Sequence, residues 1–213
     1  MHDIHKIHTI LKALYPQAQC SLDYSGDPWR LLVMARLSAQ CTDARVNIVS
    51  VPLFARYPDV QSMAAAELSE LSEIIRPCGL FNTKARSIIG AAQIIVSDFG
   101  GRVPDTIDEL VTLPGVGRKI ANLVLGDVFG KPAIVADTHC IRINGRLGFY
   151  DSSLTDPVRV ERILTDIVPR EEQSDYCHRM VLFGREFCTA RSPKCDDCPL
   201  SAECAKYAAE HRF

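Results

Sequence analysis

Four cysteines crowded into one short segment, Cys188, Cys195, Cys198 and Cys204, constrain this chain more than any other feature. Thiolates are the ligands of iron–sulfur clusters and of structural zinc, and four in close sequence can converge on one site. The spacing is C-x6-C-x2-C-x5-C, with the tight couple in KCDDCP. Zinc sites usually pair two tight couples. One couple with two wider gaps favours a cubane, whose corners lie further apart than four bonds to a single ion. Spacing alone leaves zinc open. With cysteine at all four positions no metal is left open to substrate, so the centre reads as structural or redox-active. The six residues after Cys188, TARSPK, carry Arg191 and Lys194 and no acid. A basic loop pinned by its own ligands can meet phosphates at small entropic cost, although the same residues also suit a solvated surface loop.

The other five cysteines, Cys20, Cys41, Cys78, Cys140 and Cys177, are scattered singly. They read as free thiols, which places the chain in a reducing compartment, the cytoplasm and its nucleoid. The first sixteen residues, MHDIHKIHTILKALYP, are amphipathic and hold no cleavable apolar core. His2, His5 and His8 do not share one helical face and read as surface residues. Apolar runs are short and broken by charge, so no membrane span is expected. Net charge is −2, but Thr112–Phe149 and Tyr176–Cys195 are each locally +3. Two basic stretches on an acidic body suggest a surface that faces a polyanion.

The patterning is helical nearly throughout. Ile4, Ile7, Leu11 and Leu14 lie on one face of a first helix. Asp27-Pro28 and Asp156-Pro157 each read as an N-cap with proline at the first helical position. Further helices are expected from Thr42 or Asp43 to Pro58, over Ala64–Arg76 and over Thr83–Phe99, with a capping box at Asp105 and Asp108. Pro132–Ala136 is the best strand candidate. The expected fold class is all-α, with about ten or more helices.

Leu113-Pro114-Gly115-Val116-Gly117-Arg118-Lys119 lies between two helical patterns. Gly115 and Gly117 can take positive φ, and a helix is expected to start near Gly117. Open N–H groups and the helix dipole then favour an anion there. Arg118 and Lys119 immediately behind strengthen that reading. A lysine nucleophile must be neutral, whereas an ordinary lysine has a pKa of about 10.4, so a helix N-terminus and a dry pocket would both have to help. Phosphate binding is the simpler role for Lys119. Asp137, in IVADTHCIR, can be an N-cap, and has a catalytic role only if Lys119 is its neighbour.

LPGVGRK, VADTH and the C-x6-C-x2-C-x5-C end together resemble the endonuclease III family of DNA glycosylases. LSAQCTDARVN and CGLFNTKA extend the resemblance over nearly the whole chain. It implies a helix-hairpin-helix DNA glycosylase fold with two helical domains flanking a DNA-binding cleft. A six-helix domain would span 23–130, and 1–22 plus 131–213 would form a cluster domain. It further implies a 4Fe–4S cluster on Cys188, Cys195, Cys198 and Cys204. The implied activity is that of a bifunctional glycosylase and AP lyase acting as a monomer on double-stranded DNA with a damaged base, an oxidised pyrimidine, or an abasic site. Lys119 matches the Schiff-base lysine and Asp137 the catalytic aspartate. Gln40 matches the residue that fills the gap left by a flipped nucleotide, and Leu80 the apolar wedge. Gly115, Gly117 and Arg118, with Arg191 and Lys194, would hold backbone phosphates. The chain departs from the family pattern at Ile120, Ala136 and Gly145, which puts substrate preference in question. Adenine-mismatch relatives use a glutamate in the early helix, but Pro28–Thr42 holds no carboxylate. Thymine-mismatch relatives have tyrosine in place of the lysine. A non-catalytic iron–sulfur DNA-binding module is the rival of a different class.

Overall fold

The structure, a computed structural model, describes residues 3–210. These residues form twelve α-helices: α1 (Ile4–Leu14), α2 (Pro28–Leu37), α3 (Asp43–Arg56), α4 (Val60–Ala64), α5 (Leu68–Ile75), α6 (Phe81–Asp98), α7 (Ile107–Leu110), α8 (Arg118–Asp127), α9 (Thr138–Leu147), α10 (Pro157–Ile167), α11 (Gln173–Glu186) and α12 (Ala205–Glu210). No strand occurs among the described residues. Pro132–Ala136 is not a strand. It is an irregular run, buried over Ala133–Ala136, and Cys177 Sγ accepts a hydrogen bond from Val135 N (3.2 Å). The chain divides into two compact units, Cys20–Gly130 and Met1–Gln19 with Lys131–Phe213.

In the first unit α2 is central. Asp27 caps it by accepting from Trp29 N and Arg30 N, and Pro28 sits at the position where a missing N–H is harmless. Seven of its ten residues are buried, because α3, α6 and α8 all pack on it. A helix covered all round has no single apolar stripe. α6 is the longest helix, and buries Lys84, Ala85, Ile88, Ala91, Ala92 and Ile95 along one face against α4 and α5. Pro52 lies inside α3 and removes one helical N–H. The carbonyl it leaves belongs to Ile48, which is 69% exposed, so water can satisfy it.

Two local expectations differ from the structure. The helix expected over Ala64–Arg76 is two, α4 and α5, broken over Ala65–Glu67. The capping pair lies one residue on from Asp105: Thr106 Oγ1 accepts from Glu109 N (3.3 Å). Asp59 with Ser62 forms a capping box at α4.

In the second unit α1 packs on α11, and α9 packs on α11 and α12. Ile7, Leu11, Ile143, Tyr176, Met180 and Phe183 are at most 1% exposed and form the core. Each such aliphatic or aromatic side chain contributes about 1.5–3 kcal/mol by leaving water. His5 is exposed, but His8 is buried, with Nε2 3.2 Å from Glu172 Oε2, so it is not the surface residue expected. His2 lies outside the described residues. Gly145, at an interior position of α9, is explained by close approach: a Cβ there would stand 3.3 Å from both Ser152 Cα and Tyr150 Cε2.

Candidate functional site

The glycine turn joins α7 to α8. Leu113 and Val116 are buried and anchor it, and Val116 N donates to Leu113 O (3.0 Å). Gly115 takes φ +79°, a region costly for other residues. A Cβ on it would also stand 2.5 Å from Arg36 Nε and 2.8 Å from Ser87. Gly117 differs from expectation: it is extended (φ −95°, ψ 174°) and is the N-cap of α8. No side chain caps that end, where the helix dipole is positive. Arg118 and Lys119 are the first two residues of α8, and both are exposed. The chain does not bury Lys119, so the dry pocket a nucleophile needs is not made by its own side chains alone.

Gln40 and Leu80 stand on two further loops of the same unit. Both are non-glycine residues in the left-handed region, at φ 56° and 47°. Such conformations cost about 1–3 kcal/mol each and persist only where the surroundings hold them. Both side chains are exposed, Leu80 by 57%, so Leu80 is not a core leucine. Lys84 lies beneath them with no exposure at all. Its Nζ donates to Leu37 O, Ala39 O and Cys78 O, each at 2.8 Å. An ammonium has three N–H donors, so all three are used. Burial pulls its pKa down from the usual lysine value, and the Cys78 and Cys41 thiols oppose that. Burial lifts the Cys78 thiol to about 11, and the nearby Cys41 thiol adds to that. Arg36 Nε donates to Ser87 Oγ (2.9 Å), one turn along α6 from Lys84, and so links α6 to the surroundings of Gly115. Sequence reasoning assigned Lys84 no role. The available signal was its register: Lys84, Ile88, Ala91, Ala92 and Ile95 are one helical face, and only the lysine is polar.

In the other unit Asp137 is the N-cap of α9, its Oδ1 accepting from Cys140 N at 2.7 Å. The far end of α9 grips the cysteine segment. Arg142 donates to Cys188 O (2.9 Å). Arg146 donates to Cys188 Sγ (3.3 Å), Thr189 O (2.8 Å) and Ala190 O (2.9 Å). Cys204 Sγ donates to Arg146 O (3.3 Å). These two arginines were also missed, because their partners are carbonyls and a thiol far along the chain. Gly184 of α11 leaves room for the first of them: a Cβ there would collide with His139 Nδ1 and stand 3.0 Å from Arg142.

Cys188, Cys195, Cys198 and Cys204 all line one pocket, walled by Ile143, Leu147, Phe183, Phe187 and Leu200. All four are free thiols. Burial raises the Cys195 thiol and lifts Cys198 to about 11. Four thiols on one pocket are the donor set of a thiolate-bound metal centre. Arg191 and Lys194 are exposed on the loop between the first two cysteines, where Lys194 N donates to Phe187 O (3.0 Å). Among the described residues no helix is long and apolar enough to cross a membrane.

Residues 33–170 match the model of the HhH-GPD superfamily of base excision DNA repair proteins, and residues 188–204 that of the iron–sulfur binding domain of endonuclease III. The endonuclease III of Synechocystis sp. is 46% identical over 200 residues, covering 93% of this chain and 90% of the relative. A solved non-covalent complex of an endonuclease III with DNA superposes with a TM-score of 0.91 at 41% identity, over 99% of this chain and 97% of that one. A trapped covalent endonuclease III–DNA intermediate gives 0.90 at 41% identity over the full length of both chains. By these matches over nearly its whole length, this chain belongs to the endonuclease III family of DNA glycosylases and AP lyases.

Proposed function

We propose that this enzyme excises damaged bases, oxidised pyrimidines foremost, from double-stranded DNA and then cuts the strand, with Lys119 as nucleophile. The observation that carries the reading is the exposed lysine in the first turn of an uncapped helix, directly behind a glycine turn. That end of α8 offers N–H groups and the positive end of a dipole to a DNA phosphate. The target nucleotide is flipped from the stack, and the substrate then supplies the water exclusion that the free chain lacks. Lys119 Nζ bonds to the sugar C1′ as the bond from C1′ to the base breaks, and the base leaves with that electron pair and takes up a proton. Asp137 stabilises positive charge on the sugar. The C1′–O4′ bond of that adduct then breaks, O4′ taking up a proton, and the imine so formed acidifies the 2′ proton. Its loss expels the 3′ phosphate, and hydrolysis of the imine frees the lysine.

Gln40 fills the vacated space and Leu80 wedges the stack, which their exposed left-handed positions support. Gly115, Gly117, Arg118, Arg191 and Lys194 hold phosphates without reading sequence. Cys188, Cys195, Cys198 and Cys204 would hold a 4Fe–4S cluster, supported by the pocket they share and by the matched iron–sulfur domain. When bound, that group cross-braces the basic loop. We place the enzyme in a reducing compartment, a reading supported by its free cysteines, and take it to act as a monomer.

Borohydride reduction on a duplex with an abasic site tests the nucleophile. The wild type is expected to be trapped at Lys119, and Lys119→Ala to lose trapping by on the order of 10³-fold or more. A wild type that is not trapped, or an adduct that persists in Lys119→Ala, overturns the mechanism.

A further inference from the structure

Lys84 touches none of the reacting atoms in the proposed mechanism, yet among the described residues it is the one charged side chain with no exposure. Its three carbonyl partners come from two separate loops. Leu37 ends α2, and Cys78 ends the short 3-10 turn Arg76–Cys78, so two of them are helix-terminal carbonyls bearing the negative end of a dipole. Immediately beyond these contacts the chain turns left-handed, at Gln40 after Ala39, and at Gly79 and Leu80 after Cys78. Lys84 itself is fixed in the first turn of α6, its own N–H donating to Leu80 O (3.0 Å). One side chain therefore ties the Gln40 loop to the Leu80 loop.

We infer that Lys84 is a positioning residue that holds Gln40 and Leu80 at one fixed spacing, so that both enter the duplex together. The inference rests on the reading that Gln40 and Leu80 act inside opened DNA. An apolar wedge and a polar filler reach the same nucleotide step only if their backbones are in register, and displacements of about 1 Å can lower rates about 100-fold. A backbone clamp suits this task because carbonyl positions define the loop path directly. Lysine suits it because one nitrogen can serve three acceptors that lie on different segments.

A double-mutant cycle on a duplex with an abasic site tests this, reading the single-turnover rate of borohydride trapping. Lys84→Met is expected to slow trapping roughly 10- to 100-fold. In a Gln40→Ala/Leu80→Ala background the same change is expected to have an effect of less than about twofold, because the groups it positions are gone. A general loss of folded protein would lower the rate equally in both backgrounds, and that result overturns the inference, as does an unchanged rate in Lys84→Met. Lys84→Arg, which keeps the charge and some of the donors, should recover part of the loss. If Lys84→Met does not fold, Lys84→Arg and Lys84→Gln carry the same cycle. If none of the three folds, Lys84 is a folding residue and the inference falls. Two outcomes belong to the reading beneath it: a wild type that is not trapped, or a Gln40→Ala/Leu80→Ala enzyme as fast as wild type. Either removes that reading, and the inference with it.

Discussion

Asp137 caps α9 and, in the proposed mechanism, also stabilises charge on the sugar; two substitutions separate these roles. As N-cap of α9 it accepts from Cys140 N at 2.7 Å. Removing such a cap costs about 1 kcal/mol, and the carboxylate's charge at the dipole adds about 0.3–1 kcal/mol. Asparagine caps as well as aspartate but carries no charge. Asp137→Asn should therefore cost only the charge contribution, and Asp137→Ala about 1 kcal/mol more. In a chain of 213 residues that difference is a melting-temperature gap of about 2–4 °C between the two variants. Activity should divide differently. Both variants lose the negative charge near the sugar, so both should excise thymine glycol about 10²–10³-fold more slowly than wild type. Circular-dichroism melting and single-turnover base release measure the two quantities on the same samples. An Asp137→Asn enzyme with near-wild-type rates would show that the aspartate is only a cap. Variants that melt together would show that the bond to Cys140 N contributes nothing to stability.

Two further outcomes follow from the second unit. Cys198→Ser should reduce bound iron and sulfide and the visible absorption of the cluster, while a colourless wild type that contains zinc would refute the cluster assignment. Glu172 receives hydrogen bonds from Lys12 (2.8 Å) and Arg179 (3.2 Å). Chiefly through Lys12, and against the effect of burial, its pKa is held below the ordinary 4.5. The unfolded chain then binds the proton first as pH drops, so this stabilisation is complete above about pH 4.5 and is lost as pH falls through the folded-state pKa. Glu172→Gln should cost about 2 kcal/mol at neutral pH and flatten the acid limb of the stability curve. An unchanged acid limb in urea titrations would remove Glu172 from the acid transition.

Much of the site was legible because its chemistry is local in sequence. The proline after Asp27 or Asp156 marks a helix start by its missing N–H, and four cysteines near one another announce a metal whatever the fold. Other features left no local mark. Left-handed Gln40 and Leu80 are not glycines, so nothing in their type signals positive φ, and tertiary contacts must hold them there. The break between α4 and α5 contains neither glycine nor proline. The roles of Lys84, Arg142 and Arg146 depend on carbonyls contributed by distant segments, and carbonyls are the same in every residue. Register alone could have flagged Lys84 as a charge on an apolar face.

The division of the chain also bears on how it is made. α1 belongs with the last third of the sequence: it packs on α11, and Lys6 pairs with Glu203 and Lys12 with Glu172. A ribosome delivers α1 first, then the whole of Cys20–Gly130, and only afterwards the helices that α1 needs. The continuous unit can collapse while synthesis continues, whereas α1 waits, its apolar Ile7 and Leu11 uncovered, for a partner more than 150 residues downstream. Closing a contact of that sequence span is slow. α1, made before every other helix described above, is thus among the last to be placed, and the thiols of the cysteine segment emerge at nearly the moment α1 finds its seat.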